Sequence, residues 1–145
     1  MISISVKRAM DNVKQYLDKE YRHIDFEYSI KSAEHAQVTS DITYEGVESS
    51  ISIVIDIYDN GATYFSAVLD EIDKTPQVLE LIQKLNDDWP SFKFYVREDE
   101  FLQIQQMLVC DNEKQHRLFL EDFMDRLLNC LDDETLQELA SYTRD

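Results

Sequence analysis

The chain has 145 residues, of which 43% are hydrophobic and 30% charged, with two glycines, two prolines and two cysteines. That composition excludes collagen-like, mucin-like and flexible-linker classes, and a chain of this length folds as one domain, 1–145, without disulfides or a metal. Thirty acidic against 14 basic side chains give a formal charge of −16, spread as −3, −7 and −6 over residues 1–50, 51–100 and 101–145. Such a surface offers phosphates no basic patch and repels anionic lipid, so neither direct nucleic-acid binding nor membrane docking is expected.

Residues 3–20 read as an amphipathic helix, because Val6, Met10, Val13 and Leu17 fall on one stripe. A half-buried strand follows over His23–Ile30, where Ile24, Phe26, Tyr28 and Ile30 alternate with polar residues. Residues 31–50 carry little pattern beyond a weaker strand from Gln37 to Tyr44.

The clearest unit is a hairpin. Ile51, Ile53, Ile55 and Ile57 alternate with polar or smaller residues, and the chain returns from Ala62 to Leu69. Two registers compete. A two-residue Asn60-Gly61 turn sets Ile57 opposite Tyr64. A three-residue Asp59-Asn60-Gly61 loop sets Ile57 opposite Thr63 and Ile55 opposite Phe65. The second gathers the apolar side chains on one face and puts Gly61 at a left-handed position, so it is preferred. Tyr58 and Tyr64 then project from the opposite face, as does Tyr95 from a later strand.

A helix starts at Thr75-Pro76, with threonine as cap and proline at the first helical position. It ends at Trp89-Pro90. Phe92, Phe94 and Val96 alternate as a strand, and Phe101–Val109 reads as its return, although Phe101, Ile104, Gln105 and Leu108 would also suit a helix. A long helix covers residues 113–130, and Asp132 is expected to cap a short helix reaching about residue 142, with Leu131 and Leu136 as a hydrophobic staple. The order helix, four strands, helix, two strands, helix predicts an α+β domain with helices against an antiparallel sheet.

No catalytic signature is present. Two glycines cannot build a phosphate loop, and there is no Gly-x-Ser-x-Gly elbow. Cys110 and Cys130 lack metal spacing and read as buried free thiols of a reducing, cytoplasmic compartment. His23, His35 and His116 are far apart in sequence and read as exposed or loop histidines. Asp56–Gly61 fails as a calcium loop, since Tyr58 stands at the third position and Ala67 at the twelfth. The acidic clusters Asp70-Glu71-Ile72-Asp73, Asp87-Asp88, Glu98-Asp99-Glu100 and Asp132-Asp133-Glu134 fall at turns and helix ends. No enzyme activity, cofactor or metal is expected. No apolar run approaches the roughly 20 residues needed to span a bilayer, and the first residues do not read as a signal peptide. Eight tyrosines and seven phenylalanines exceed the needs of this core, and tyrosine suits protein interfaces. Tyr58, Tyr64 and Tyr95 are therefore the candidate interface residues.

From Tyr44 onward the chain resembles the YbjN-like, type III secretion chaperone-like superfamily. The resemblance is carried by the Ile51–Leu69 hairpin, the Val78–Asn86 helix with its Leu85-Asn86 pair, the Phe92–Val96 and Phe101–Val109 strands, and the helix bearing Leu120, Phe123, Met124 and Leu127. It implies a helix-flanked antiparallel sheet, a homodimer, and a protein partner bound in a chaperone-like or regulatory role. The alternative, drawn from the charge alone, is an acidic inhibitor or nucleic-acid mimic acting on a basic protein.

Overall fold

Alternation of large and small side chains in residues 51–57 produces the central strand on which the rest is assembled. In the computed structural model, which describes residues 3–144, the elements are α1 (Val6–Glu20), β1 (Glu27–Ser32), β2 (His35–Ile42), β3 (Ile51–Tyr58), β4 (Ala62–Glu71), α2 (Pro76–Asp88), β5 (Lys93–Val96), β6 (Phe101–Val109), α3 (Gln115–Leu131) and α4 (Glu134–Ala140). The strands form one antiparallel sheet in the order β1-β2-β3-β4-β6-β5. The fold is α+β, and Phe101–Val109 is a strand. Its apolar residues Leu102 and Ile104 lie opposite Val96 and Phe94, which a strand requires and a helix would scatter.

One sheet face is the core. Ile51, Ile53, Ile55 and Ile57 are fully buried, as are Phe65 and Ala67 across from them. Each such isoleucine contributes about 1.5–3 kcal/mol by leaving water. The helices cover this face. α1 lies on β1–β3, α3 reaches β4 and α2 reaches β5. Phe123 of α3 stacks on Phe65 with centroids 5.4 Å apart. Ser5 caps α1 through its hydroxyl, and Thr75 caps α2 ahead of Pro76.

The hairpin register is the three-residue one. Ile57 pairs with Thr63, Ile55 with Phe65 and Ile53 with Ala67. Gly61 has φ +88°, and its N–H donates to the Tyr58 carbonyl at 3.0 Å. The turn also ties in distant segments. Ile4 N–H donates to the Asp59 carbonyl and Cys110 N–H to the Gly61 carbonyl, both at 2.8 Å.

The edge strand β5 is short, and a side chain completes it. Asn86, in the last turns of α2, accepts from Phe94 N–H at 2.8 Å and donates to the Phe94 carbonyl at 3.0 Å. An amide can imitate a neighbouring strand in this way, because it carries a donor and an acceptor side by side. The Leu85-Asn86 pair thus has a physical meaning: Leu85 is buried in the core and Asn86 holds the sheet edge.

Two expectations are corrected. The first strand runs over Glu27–Ser32, not His23–Ile30. Residues 22–24 form a turn closed by Ile24 N–H on the Tyr21 carbonyl, so pairing with β2 starts only at Glu27 opposite Thr39. The cap of the last helix is Asp133, not Asp132. Its carboxylate accepts from Thr135 N–H at 2.7 Å and from the Trp89 indole at 3.0 Å. Asp132 instead accepts the Tyr44 hydroxyl at 2.8 Å. Leu131 and Leu136 are both fully buried, but with the cap moved they no longer occupy the staple positions.

Gly61→Val should lower the unfolding free energy by about 1–3 kcal/mol, because a β-branched residue is strained at positive φ. Equilibrium denaturation in urea measures it; an unchanged midpoint would mean the turn relaxes without cost.

Candidate functional site

Pleating sends every second residue of each strand away from the helices. These residues form the second sheet face, and its centre is aromatic. His35 of β2 stacks on Tyr58 of β3, with centroids 4.4 Å apart and planes 6° apart. Its Nε2 lies 2.8 Å from Asp56 Oδ1, and the same oxygen accepts from Gln37 Nε2 at 3.0 Å. Tyr64 of β4 meets Tyr58 edge-on at 6.0 Å. Burial, then the Asp56 charge, pushes the Tyr58 phenol above its usual range, so it stays a hydrogen-bond donor.

Beyond the tyrosines lies a shallow hollow of about 320 Å³ floored by Val54, Ser66 and Val68 and rimmed by Gln103, Gln105 and Arg97. Gln103 donates to Ser66 Oγ at 3.2 Å. Of the three tyrosines singled out from the sequence, Tyr58 and Tyr64 share this hollow. Tyr95 is on the same face, opposite Gln103, but stands apart on the edge strand with Lys93 Nζ 4.6 Å from its ring centroid. His35 was missed because residues 31–50 carry little pattern. Gln103 and Gln105 were missed too, although their alternation with Leu102 and Ile104 could have placed them on this face.

The sheet face continues toward β1. A second hollow, with Glu27, Thr39 and Ser52 in its wall, shares Val54 with the first. A third, of about 610 Å³, opens where the sheet rim meets α3 and is lined by Ile24, Ile42, Met124 and Leu128 with Tyr21 and Tyr44. Asp25 and Asp41 belong to both the second and the third.

Other reactive groups lie away from this surface. Cys110 and Cys130 are free and buried. Burial pushes the Cys130 thiol up to about 12, with Asp133 adding to the shift, and burial also raises Cys110. Both stay protonated, which removes their nucleophilic form. No serine or cysteine hydrogen-bonds to His35, and among the described residues no group of His, Cys, Asp and Glu could hold a metal ion. The acidic turns have a structural partner that the sequence did not disclose. Arg144 reaches Glu71, Asp73 and Glu100 at 3.1, 2.8 and 2.7 Å, and its backbone N–H donates to the Glu71 carbonyl.

His116 corrects a further expectation. It is not exposed but fully buried in α3, and among the described residues neither ring nitrogen has a hydrogen-bond partner. The carbonyls of Asn112 and Glu113 approach the ring without bonding geometry. The helical stripe Leu120, Phe123, Met124 and Leu127 extends back to position 116, and that periodicity could have placed the ring inside.

Geometry of this kind defines a binding module: an open, aromatic and polar sheet face with adjoining hollows on a helix-backed sheet. Residues 58–140 match the family described as T3SS (YopN, CesT) and YbjN peptide-binding chaperone 1, TY-Chap1. The chain belongs to this family of peptide-binding chaperone domains, in agreement with the resemblance read from its hydrophobic pattern. No curated protein matches the chain significantly. Among the described residues no helix is long and apolar enough to cross a membrane.

The buried His116 makes stability depend on pH. Burial, opposed by Glu113, lowers its pKa from the ordinary 6.5. The unfolded chain therefore takes up the proton first, and the stability present above 6.5 is lost as pH falls from there through the folded value. Urea midpoints between about pH 7.5 and about pH 5.5 should fall for the natural chain and fall less for His116→Leu. Equal slopes would show that the ring is not the titrating group.

Proposed function

We propose that the chain is a non-enzymatic, cytoplasmic binding module in which residues 1–145 act as one domain, holding an extended segment of a protein partner on the helix-free sheet face in a chaperone-like or regulatory role. The observation that carries this reading is the Tyr58–Tyr64 pair with His35 stacked beside it, set on a sheet face that no helix of the described residues covers. Aromatic rings held by neighbouring strands offer large contact area with little side-chain entropy left to lose. Around them Gln103, Gln105, Ser66 and Asp56 offer donors and acceptors for a peptide backbone. The acidic nucleic-acid-mimic reading gains no support, because Lys93 and Arg97 interrupt the carboxylates of this face.

A homodimer is favoured by a separate feature. β1 is an edge strand, and Ile30 on it is 47% exposed. Two copies of an edge strand can pair antiparallel about a two-fold axis, satisfying their free backbone groups and covering both isoleucines. Sedimentation equilibrium should give twice the monomer mass, and Ile30→Lys should return the monomer mass. A natural chain that sediments as a monomer would end this part of the reading.

For the binding face, Tyr58→Ala with Tyr64→Ala should weaken capture of peptides from an extended-peptide array about tenfold or more, the loss expected for two interface aromatics, with the thermal midpoint little changed. Undiminished capture would remove the tyrosines from the site.

A further inference from the structure

We infer that the segment bound by this chain carries a basic residue followed by large apolar side chains, read by the Asp25–Asp41 ridge and the adjoining hollow at α3. The inference rests on the peptide-binding reading above and gives the peptide its chemistry. Three observations carry it.

The hollows adjoin one another. The tyrosine hollow and the second one share Val54, and the second and third share Asp25 and Asp41. Tyr64 lies opposite Asp56, and Asp41 lies opposite Ser52, four residues away along β3, so the diagonal from Tyr64 to β1 beside Asp41 is about 20 Å, which about six extended residues cross. A segment that leaves Tyr64 and traverses the sheet therefore meets the carboxylates first and the third hollow after them.

The ridge is charged and uncompensated. Asp25, Glu27 and Asp41 are all exposed, and among the described residues none takes part in an ion pair. Asp41 accepts only the Ser52 hydroxyl, at 2.6 Å. The other end of the face carries Lys93, and Arg97 there is paired with Asp99 at 2.7 Å. A bound segment is thus oriented, its basic residue toward β1 and β2.

The third hollow is apolar at its base. Ile24, Ile42, Met124 and Leu128 line it, while the Tyr44 hydroxyl is already engaged by Asp132. His23, Asp25, Asp41 and Thr43 add polar groups to the same lining, so the apolar part takes an aliphatic or aromatic side chain beside the basic one. An acidic segment would be repelled at the ridge, and a wholly polar one would leave the hollow unfilled.

The test uses the full chain and three fluorescein-labelled peptides of about ten residues, long enough to span the face and the hollow. All are rich in serine and threonine. The first has two arginines followed by leucine and phenylalanine. In the second, glutamates replace the arginines; in the third, serines replace leucine and phenylalanine. Fluorescence anisotropy should show the first bound about fivefold or more tighter than the second, and the margin should narrow as salt is raised. It should also bind about tenfold tighter than the third. The double variant Asp25→Asn with Asp41→Asn should weaken the first peptide about fivefold and spare the second. Both sites are exposed, and an unchanged thermal midpoint confirms the fold. If all three peptides bind alike and need Tyr58 and Tyr64 but not the aspartates, the inference is overturned and the peptide-binding reading stands. If none binds, both fail. If Tyr58→Ala with Tyr64→Ala abolishes a dimer and leaves peptide affinity unchanged, a second copy occupies the face and the inference fails.

Discussion

The register between β3 and β4 is the constraint on which the rest depends. With Ile57 opposite Thr63 and Ile55 opposite Phe65, four isoleucines, Phe65 and Ala67 point to one side. A slip of one residue would send one strand's apolar set to the other side. The helices would then have no continuous apolar surface to cover, and Tyr58 and Tyr64 would not meet. The three-residue turn enforces the register, and Ile4, Cys110 and Thr63 all bond to its carbonyls. The N-terminal segment and β6 are thereby positioned by the same loop that sets the core.

Much of this was legible because the relevant periods are strong. The isoleucine alternation gave the hairpin, Thr75-Pro76 gave the start of α2, and the leucine-rich stripe gave α3. What escaped was set by contacts distant in sequence. The start of β1 depends on where β2 can pair, and β2 lies in the segment with the weakest pattern. Asp132 and Asp133 are equally good caps by residue type; the Trp89 indole, 44 positions earlier, distinguishes them. The candidate site was legible to the same degree. Alternation put Tyr58, Tyr64 and Tyr95 on the outer face, but no local signal put His35 against Tyr58 or left Tyr95 apart from the pair.

The distribution of acidic residues also becomes intelligible. Glu71 at the end of β4, Asp73 just after it and Glu100 in the β5–β6 turn converge on Arg144, close to the end of the chain. Thr143 bridges to Ile72 just before it. Exposed ion pairs taken singly contribute little, but here three carboxylates share one guanidinium beside a backbone bridge. These acids hold Thr143 and Arg144 against the sheet. Others, such as Asp25 and Asp41, have no such partner among the described residues, so a net charge alone does not separate structural from recognitional carboxylates.

Asn86 has a wider consequence. A strand edge closed by a side-chain amide is capped without consuming another strand, so the sheet stops at β5 while β1 remains open. The molecule is consequently polar in its capacity to grow: addition of a strand is blocked at Phe94 on one side and permitted on the other. Assembly through the sheet would then terminate at two chains, since pairing the open edges leaves only closed ones outside. A single asparagine would act as a chain terminator for the sheet, separating a bounded complex from an open-ended fibre.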